Sequence, residues 1–109
     1  MIKKKIAIIG AGGFGRELFY LLDREIYECV GFIDVRLPKE QLPAPIIGSE
    51  SDIEQIQEKH IISFFAIAIG NIYKRITIID SLKKYSLTFP SITHPSAQIF
   101  SNNFVHNYF

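Results

Sequence analysis

One cysteine and no tryptophan occur among the 109 residues, and neither sign of charge dominates, with 12 lysines and arginines against 11 aspartates and glutamates. Each scarcity excludes something. A single thiol, Cys29, cannot make an internal disulfide framework or a cysteine-based zinc site. Its neighbours Val30, Phe32 and Ile33 place it in a buried strand, as an inert core thiol. A formal net charge of +1 with no long basic run leaves no electrostatic footprint for nucleic acid. Lys3, Lys4 and Lys5 read as a solvated lead-in to a strand. No stretch approaches the roughly 20 apolar residues of a membrane span. The apolar run after the basic start is too short for a signal peptide and dissolves into glycines, so a cytoplasmic chain is expected. His60, His94 and His106 have no metal-ligand spacing, and no Ser-His-Asp order or Walker A lysine is present. No metal site and no catalytic residue is therefore expected.

What is present is apolar and periodic. Hydrophobic residues make up 48% of the chain, enough to give one modest domain a core. Residues 4–9 form an apolar β-type run that enters Gly10-Ala11-Gly12-Gly13-Phe14-Gly15, and a helical pattern follows over residues 13–24 with Phe14, Leu18, Leu21 and Leu22 inward. This strand, turn and helix give a G-x-G-x-x-G motif its meaning. Gly10 permits the sharp exit from the strand, Gly12 lets a ligand approach backbone N–H groups, and Gly15 lets the helix pack closely on the strand. The helix N-terminus then favours an anion such as a diphosphate.

A second strand over residues 28–33 ends at Asp34, where an acid can accept hydrogen bonds from ribose hydroxyls. The proline-bearing stretch 35–45 is a loop, and residues 45–48 add a short extended piece. Ser49 or Ser51 caps a second helix running to about residue 59, with Ile53 and Ile56 inward. Residues 61–69 are almost continuously apolar, the mark of a central parallel strand covered on both faces. Gly70 and Asn71 turn the chain into a third helix over 72–84, with Ile72, Ile76, Ile79 and Leu82 on its inner side, and 87–92 read as a fourth strand. Asn71 either reads a sugar or caps that helix, and Arg75, one turn on, reaches a phosphate or makes a surface ion pair.

Strands alternating with helices of this length imply an α/β fold, a small Rossmann-like parallel sheet of about four strands with helices on both faces. Ligands in such sheets lie beyond the strand C-terminal ends. The expected binding residues are therefore Gly10, Gly12, Gly13, Phe14, Gly15, Asp34, Gly70, Asn71 and Arg75. Residues 1–92 form the binding domain, and 93–109 read as the truncated start of a β-helix or as a disordered tail.

Four blocks occur in order: Ile8 to Glu17 around the glycines, Val30-Gly31-Phe32-Ile33-Asp34, Ala66 to Asn71 with Arg75, and Ile92-Thr93-His94-Pro95-Ser96-Ala97. Together they resemble the N-terminal part of the sugar O-acyltransferases and N-acetyltransferases of the sialic acid and PglD type. The resemblance implies a domain that binds a nucleotide-linked amino sugar. In the complete family enzyme a left-handed β-helix follows, forms a trimer, binds acetyl-CoA and carries a histidine base. Phe14 stands where many members have histidine. Residues 98–109 allow about one coil, so the β-helix, its catalytic histidine and its acetyl-CoA site have no expected counterpart here, and neither His94 nor His106 takes that role. The expected partner is a nucleotide-sugar, with no cofactor bound by this chain and neither nucleic acid nor membrane. Two other readings fit the glycine loop: an NAD(P)-binding fragment of an oxidoreductase, and a non-catalytic interaction module using the apolar residues near the C-terminus.

Overall fold

The computed structural model describes residues 2–36, 41–62 and 64–90. The elements are β1 (Lys4–Ile9), α1 (Gly13–Leu21), β2 (Tyr27–Ile33), β3 (Ile46–Gly48), a 3-10 turn (Glu50–Asp52), α2 (Ile53–His60), β4 (Phe64–Ile67) and α3 (Ile72–Leu82). The four strands form one sheet in the order β3-β2-β1-β4, and every pairing is parallel.

Side chains alternate across the sheet and fill two layers. Ile6, Ile8, Phe32 and Ala66 face α1 and pack with Leu18 and Leu22. Ala7, Ile9, Ile33, Phe65 and Ile67 face the opposite side and pack with Ile53 and Ile56 of α2 and Ile78, Ile79 and Leu82 of α3. Both faces of β1 and β4 are thus covered, as their apolar runs predict. Between β1 and β2 the register moves from Ile6 opposite Cys29 to Ala7 opposite Gly31, passing over Val30. Cys29 packs with the α1 layer, whereas Val30 packs with the α2–α3 layer. Phe32 then returns to the α1 side and Ile33 to the other. The shift therefore changes by one residue the count that decides which way β2 side chains point.

Several boundaries differ from the sequence reading, each for a local reason. α1 ends at Leu21, because Asp23 captures the following amides: its carboxylate accepts from Glu25 N–H, and its carbonyl accepts from Ile26 and Tyr27. The short piece near residue 46 is a full member of the sheet, paired to β2. The segment expected to be a fourth strand at 87–92 contributes a single bridge, Thr88 with Phe64, with Phe65 N–H donating to the Thr88 carbonyl at 2.9 Å. Pro90 has no N–H with which to extend that ladder, and residues 91 and 92 lie outside the described residues. Ser49, not Ser51, makes the capping box that opens the second helical region, with Asp52 as its reciprocal partner.

α3 also turns a different side inward. Its isoleucines offer two stripes, and the one holding the adjacent Ile78 and Ile79 with Leu82 is buried. Ile72 and Ile76, expected inward, are 46% and 45% exposed. Arg75 lies on the winning stripe and is carried to 8% exposure.

Close packing joins α1 to the end of β1. A Cβ built on Gly15 would collide with the Gly10 carbonyl, and one on Gly10 would meet the Ala68 carbonyl. Gly10 also has φ +113°, a region that strongly favours glycine. Gly15→Ala should therefore lower unfolding stability by about 1–3 kcal/mol through overpacking. Urea denaturation checks this, and an unchanged midpoint would refute the close helix–strand approach.

Candidate functional site

Strands β1, β2 and β4 all end at one side of the sheet, and the loops leaving them enclose a cleft of about 700 Å³. From the β1 end come Gly10, Gly12, Gly13 and Phe14; from the β2 end, Asp34, Val35 and Arg36; from the β4 end, Ala68, Ile69, Gly70 and Asn71. Glu50 and the α3 side chains Tyr73, Lys74 and Thr77 complete the walls. Seven of the nine expected residues meet here. Gly15 does not line the cleft; it serves the α1 packing. Arg75 does not line it either, since the inner stripe of α3 takes it into the protein, where desolvation lowers the guanidinium pKa.

The glycines divide into two kinds. Gly10 and Gly15 are dictated by the packing. Gly12 has ordinary extended backbone angles (φ −81°, ψ −164°), and a Cβ built on it meets nothing within 4 Å. The same open space surrounds Gly70, and a Cβ on Gly13 meets only the far end of Arg16 at 3.8 Å. The described fold would accept alanine at all three. Their missing side chains leave cleft volume empty.

The two helices that begin at the cleft are treated differently. Asn71 is the N-cap of α3, and its Oδ1 accepts from the N–H groups of Tyr73 at 3.0 Å and Lys74 at 3.1 Å. Of the two roles its sequence position allowed, the capping role is the one its geometry fills. The N-cap of α1 is Gly12, which has no side chain with which to cap that helix. The N-cap position of α3 is thus filled by a side-chain acceptor, whereas that of α1 is not.

Asp34 ties the glycine loop to the end of β2. Its Oδ2 accepts from Ala11 N–H at 2.9 Å, and its Oδ1 from Arg36 N–H at 3.0 Å. The Arg36 guanidinium adds contacts of 3.4 Å to each oxygen. Partial burial works to raise the carboxyl pKa, but these donors and the neighbouring positive charge outweigh it, so the group titrates below its ordinary value. The Cys29 thiol is pushed up to about 11 by burial, partly offset by its hydrogen bond to the Gly31 carbonyl, so it is no nucleophile at neutral pH. Among the described residues no group of three His, Cys, Asp or Glu side chains could hold a metal ion. No helix there is long and apolar enough to cross a membrane. His94 and His106 lie outside the described residues.

Sequence reasoning did not find Arg36, Glu50, Tyr73, Lys74 and Thr77. Glu50 was legible only by recognising β3 as a sheet strand whose end reaches the same crevice. Tyr73, Lys74 and Thr77 required the correct choice between the two stripes of α3.

Two outcomes test this geometry. Asn71→Ala should cost about 1 kcal/mol of stability through loss of the cap, as measured by chemical denaturation. Because the Asp34 carboxyl is lowered on folding, the stability it contributes is complete above about pH 4 and fades as pH falls through its folded value. The gap between the protein and Asp34→Asn in urea midpoint should thus close as pH drops from 6 toward 2. A gap independent of pH would contradict the assigned hydrogen bonds.

Comparison with known proteins adds the following. Residues 5–82 match the family described as the PglD N-terminal domain. The acetyltransferase domain of PglB from Neisseria gonorrhoeae FA1090, solved with acetyl coenzyme A, is 28% identical with a TM-score of 0.66, over 85% of this chain and 45% of that one. A perosamine N-acetyltransferase variant from Caulobacter crescentus, in complex with CoA and GDP-perosamine, shares the fold at TM-score 0.70 and 21% identity, over 84% of this chain and 43% of that one. UDP-D-quinovosamine 4-dehydrogenase from Vibrio fischeri shares it at TM-score 0.63 and 23% identity, over 91% of this chain and 85% of that one. The chain thus spans under half the length of both acetyltransferase structures. A search of curated proteins gave no match.

Proposed function

We propose that this chain, which belongs to the PglD N-terminal domain family, is the domain of a sugar acetyltransferase that binds a nucleotide-linked amino sugar. The diphosphate would lie at the N-terminus of α1 beside Gly12 and Gly13, and the ribose hydroxyls would face Asp34. The sugar would project from the cleft toward the part of the enzyme that holds acetyl-CoA. The observation that carries this reading is Gly12. Neither its backbone angles nor its surroundings require glycine, and a side chain there would fill open space at the start of α1. Glycine at that point is accounted for by a ligand that comes up to the backbone.

The relatives supply the chemistry around this step. The Caulobacter enzyme holds a GDP-linked amino sugar with CoA, and the Neisseria domain holds acetyl-CoA. By that analogy the present domain positions the acceptor amine or hydroxyl, while proton removal and the thioester belong to the remainder of the enzyme. Bacterial surface-glycan biosynthesis is the setting in which such transfer is used. A trimeric, cytoplasmic enzyme is the corresponding assembly.

Thermal unfolding with millimolar UDP, GDP, NADH or acetyl-CoA tests the reading. A ligand at a hundred times its dissociation constant adds about 2.7 kcal/mol of stability, which a thermal scan resolves. The expected result is a shift with UDP or GDP and none with acetyl-CoA. A shift with NADH alone would replace the reading with a dehydrogenase-type one. Gly12→Ser sharpens the test: serine is the better N-cap by a few tenths of a kcal/mol. The variant should melt no lower than the parent and lose the nucleotide shift. Undiminished nucleotide binding by this variant would remove the diphosphate from α1.

A further inference from the structure

We infer that Arg36 is a displaceable occupant of the ribose position, so that it, rather than the glycine loop, sets how strongly the cleft discriminates a ribonucleotide from one without the vicinal hydroxyls. The inference rests on the nucleotide reading of the cleft and deepens it. A carboxylate offers about four acceptor positions, and Asp34 has all four in use. Two are taken by backbone N–H groups, from Ala11 at 2.9 Å and Arg36 at 3.0 Å, which hold the carboxylate in place. The other two are taken by the Arg36 side chain, through Nε to Oδ1 and Nη2 to Oδ2, both at 3.4 Å.

These two pairs differ in how readily they give way. The backbone donors belong to the loops that form the cleft. The guanidinium contacts are long, and the Arg36 side chain is 76% exposed, against 10% for that of Asp34. Moving the guanidinium into water costs little, because it is already mostly hydrated. A ribose diol donating to Asp34 would take up the same two acceptor positions, one hydroxyl to each. It cannot do so while the guanidinium is there. Binding of the diol is therefore an exchange, and its net gain is reduced by the strength of the ion pair it breaks. A nucleotide without the two hydroxyls leaves Arg36 in place and meets no such reduction.

Removing the side chain also removes a positive charge from a cleft that contains Asp34, Glu50 and Lys74. A diphosphate feels that loss with or without ribose hydroxyls. The informative quantity is therefore a ratio, the dissociation constant of 2′,3′-dideoxy-UDP over that of UDP, or the GDP pair if guanine is the base bound. Calorimetric titration of the protein, Arg36→Ala, Arg36→Lys and Asp34→Asn gives it directly. The ratio should rise about two- to fivefold in Arg36→Ala, the range set by exposed ion pairs. It should rise less in Arg36→Lys, which keeps the charge but loses the fork, and collapse toward one in Asp34→Asn. A ratio unchanged or lowered in Arg36→Ala would overturn the inference, the lowered case meaning that Arg36 itself donates to the nucleotide. A ratio near one in the protein and in every variant would place the diol away from Asp34 and overturn it while leaving the nucleotide reading intact. Absence of binding by UDP, GDP and their dideoxy forms to any variant would bring down that reading and the inference with it.

Discussion

The carbonyl oxygen of Gly10 occupies the space a side chain on Gly15 would need, and the cleft depends on this contact. It lets α1 start directly over the end of β1, with Ala11 close enough to reach Asp34 at the end of β2. On the other side, Gly10 lies against the Ala68 carbonyl at the end of β4. Three strand ends and one helix end are thereby brought within the span of a single small molecule. The two apolar layers supply the stability that holds this approach, and neither layer needs a polar group in its interior to do so. Among the described residues Arg75 is the one charged side chain drawn into the buried set, and it enters from the helix stripe rather than from the sheet.

The polar groups at the cleft divide between making the fold and facing the cleft. Asn71 spends its carbonyl oxygen on the first turn of α3 and so keeps that helix anchored at the β4 end. Asp34 does both, since its bond from Ala11 joins two loops and its side-chain contacts go to the exposed Arg36, which also lines the cleft. The glycines divide in the same way, with Gly10 and Gly15 needed by packing and Gly12 and Gly70 not.

Much of this was legible in the residues. The apolar runs of β1 and β4 announce strands buried on both faces, and the glycine loop announces the helix that follows. Ile53 and Ile56 announce the inner side of α2. The failures come from competition that spacing alone does not resolve. α3 carries isoleucine on two overlapping stripes, and tertiary packing chose the one that also contains Arg75. β3 is three residues long and becomes a strand only because β2 offers it an edge. The apolar stretch near Leu87 reads as a strand, yet it gives the sheet one bridge. Arg36 was invisible as a partner because its importance lies in what it occupies, not in its own position.

The register shift at Val30 has a wider meaning. Side-chain direction along a strand is an odd–even count, and the extra residue in β2 resets that count before Asp34 is reached. Val30 and Gly31 share the α2–α3 side, so the bulge absorbs the extra residue and leaves Asp34 on the α1 side, within reach of Ala11. The direction of this carboxylate thus follows from its pairing with β1 and not from the number of residues in β2. A relative lacking that one residue, but retaining every polar side chain, would present its aspartate to the same half of the molecule. A single extra residue in a strand is thus silent at its far end when a bulge takes it up, and redirects everything beyond it only when none does.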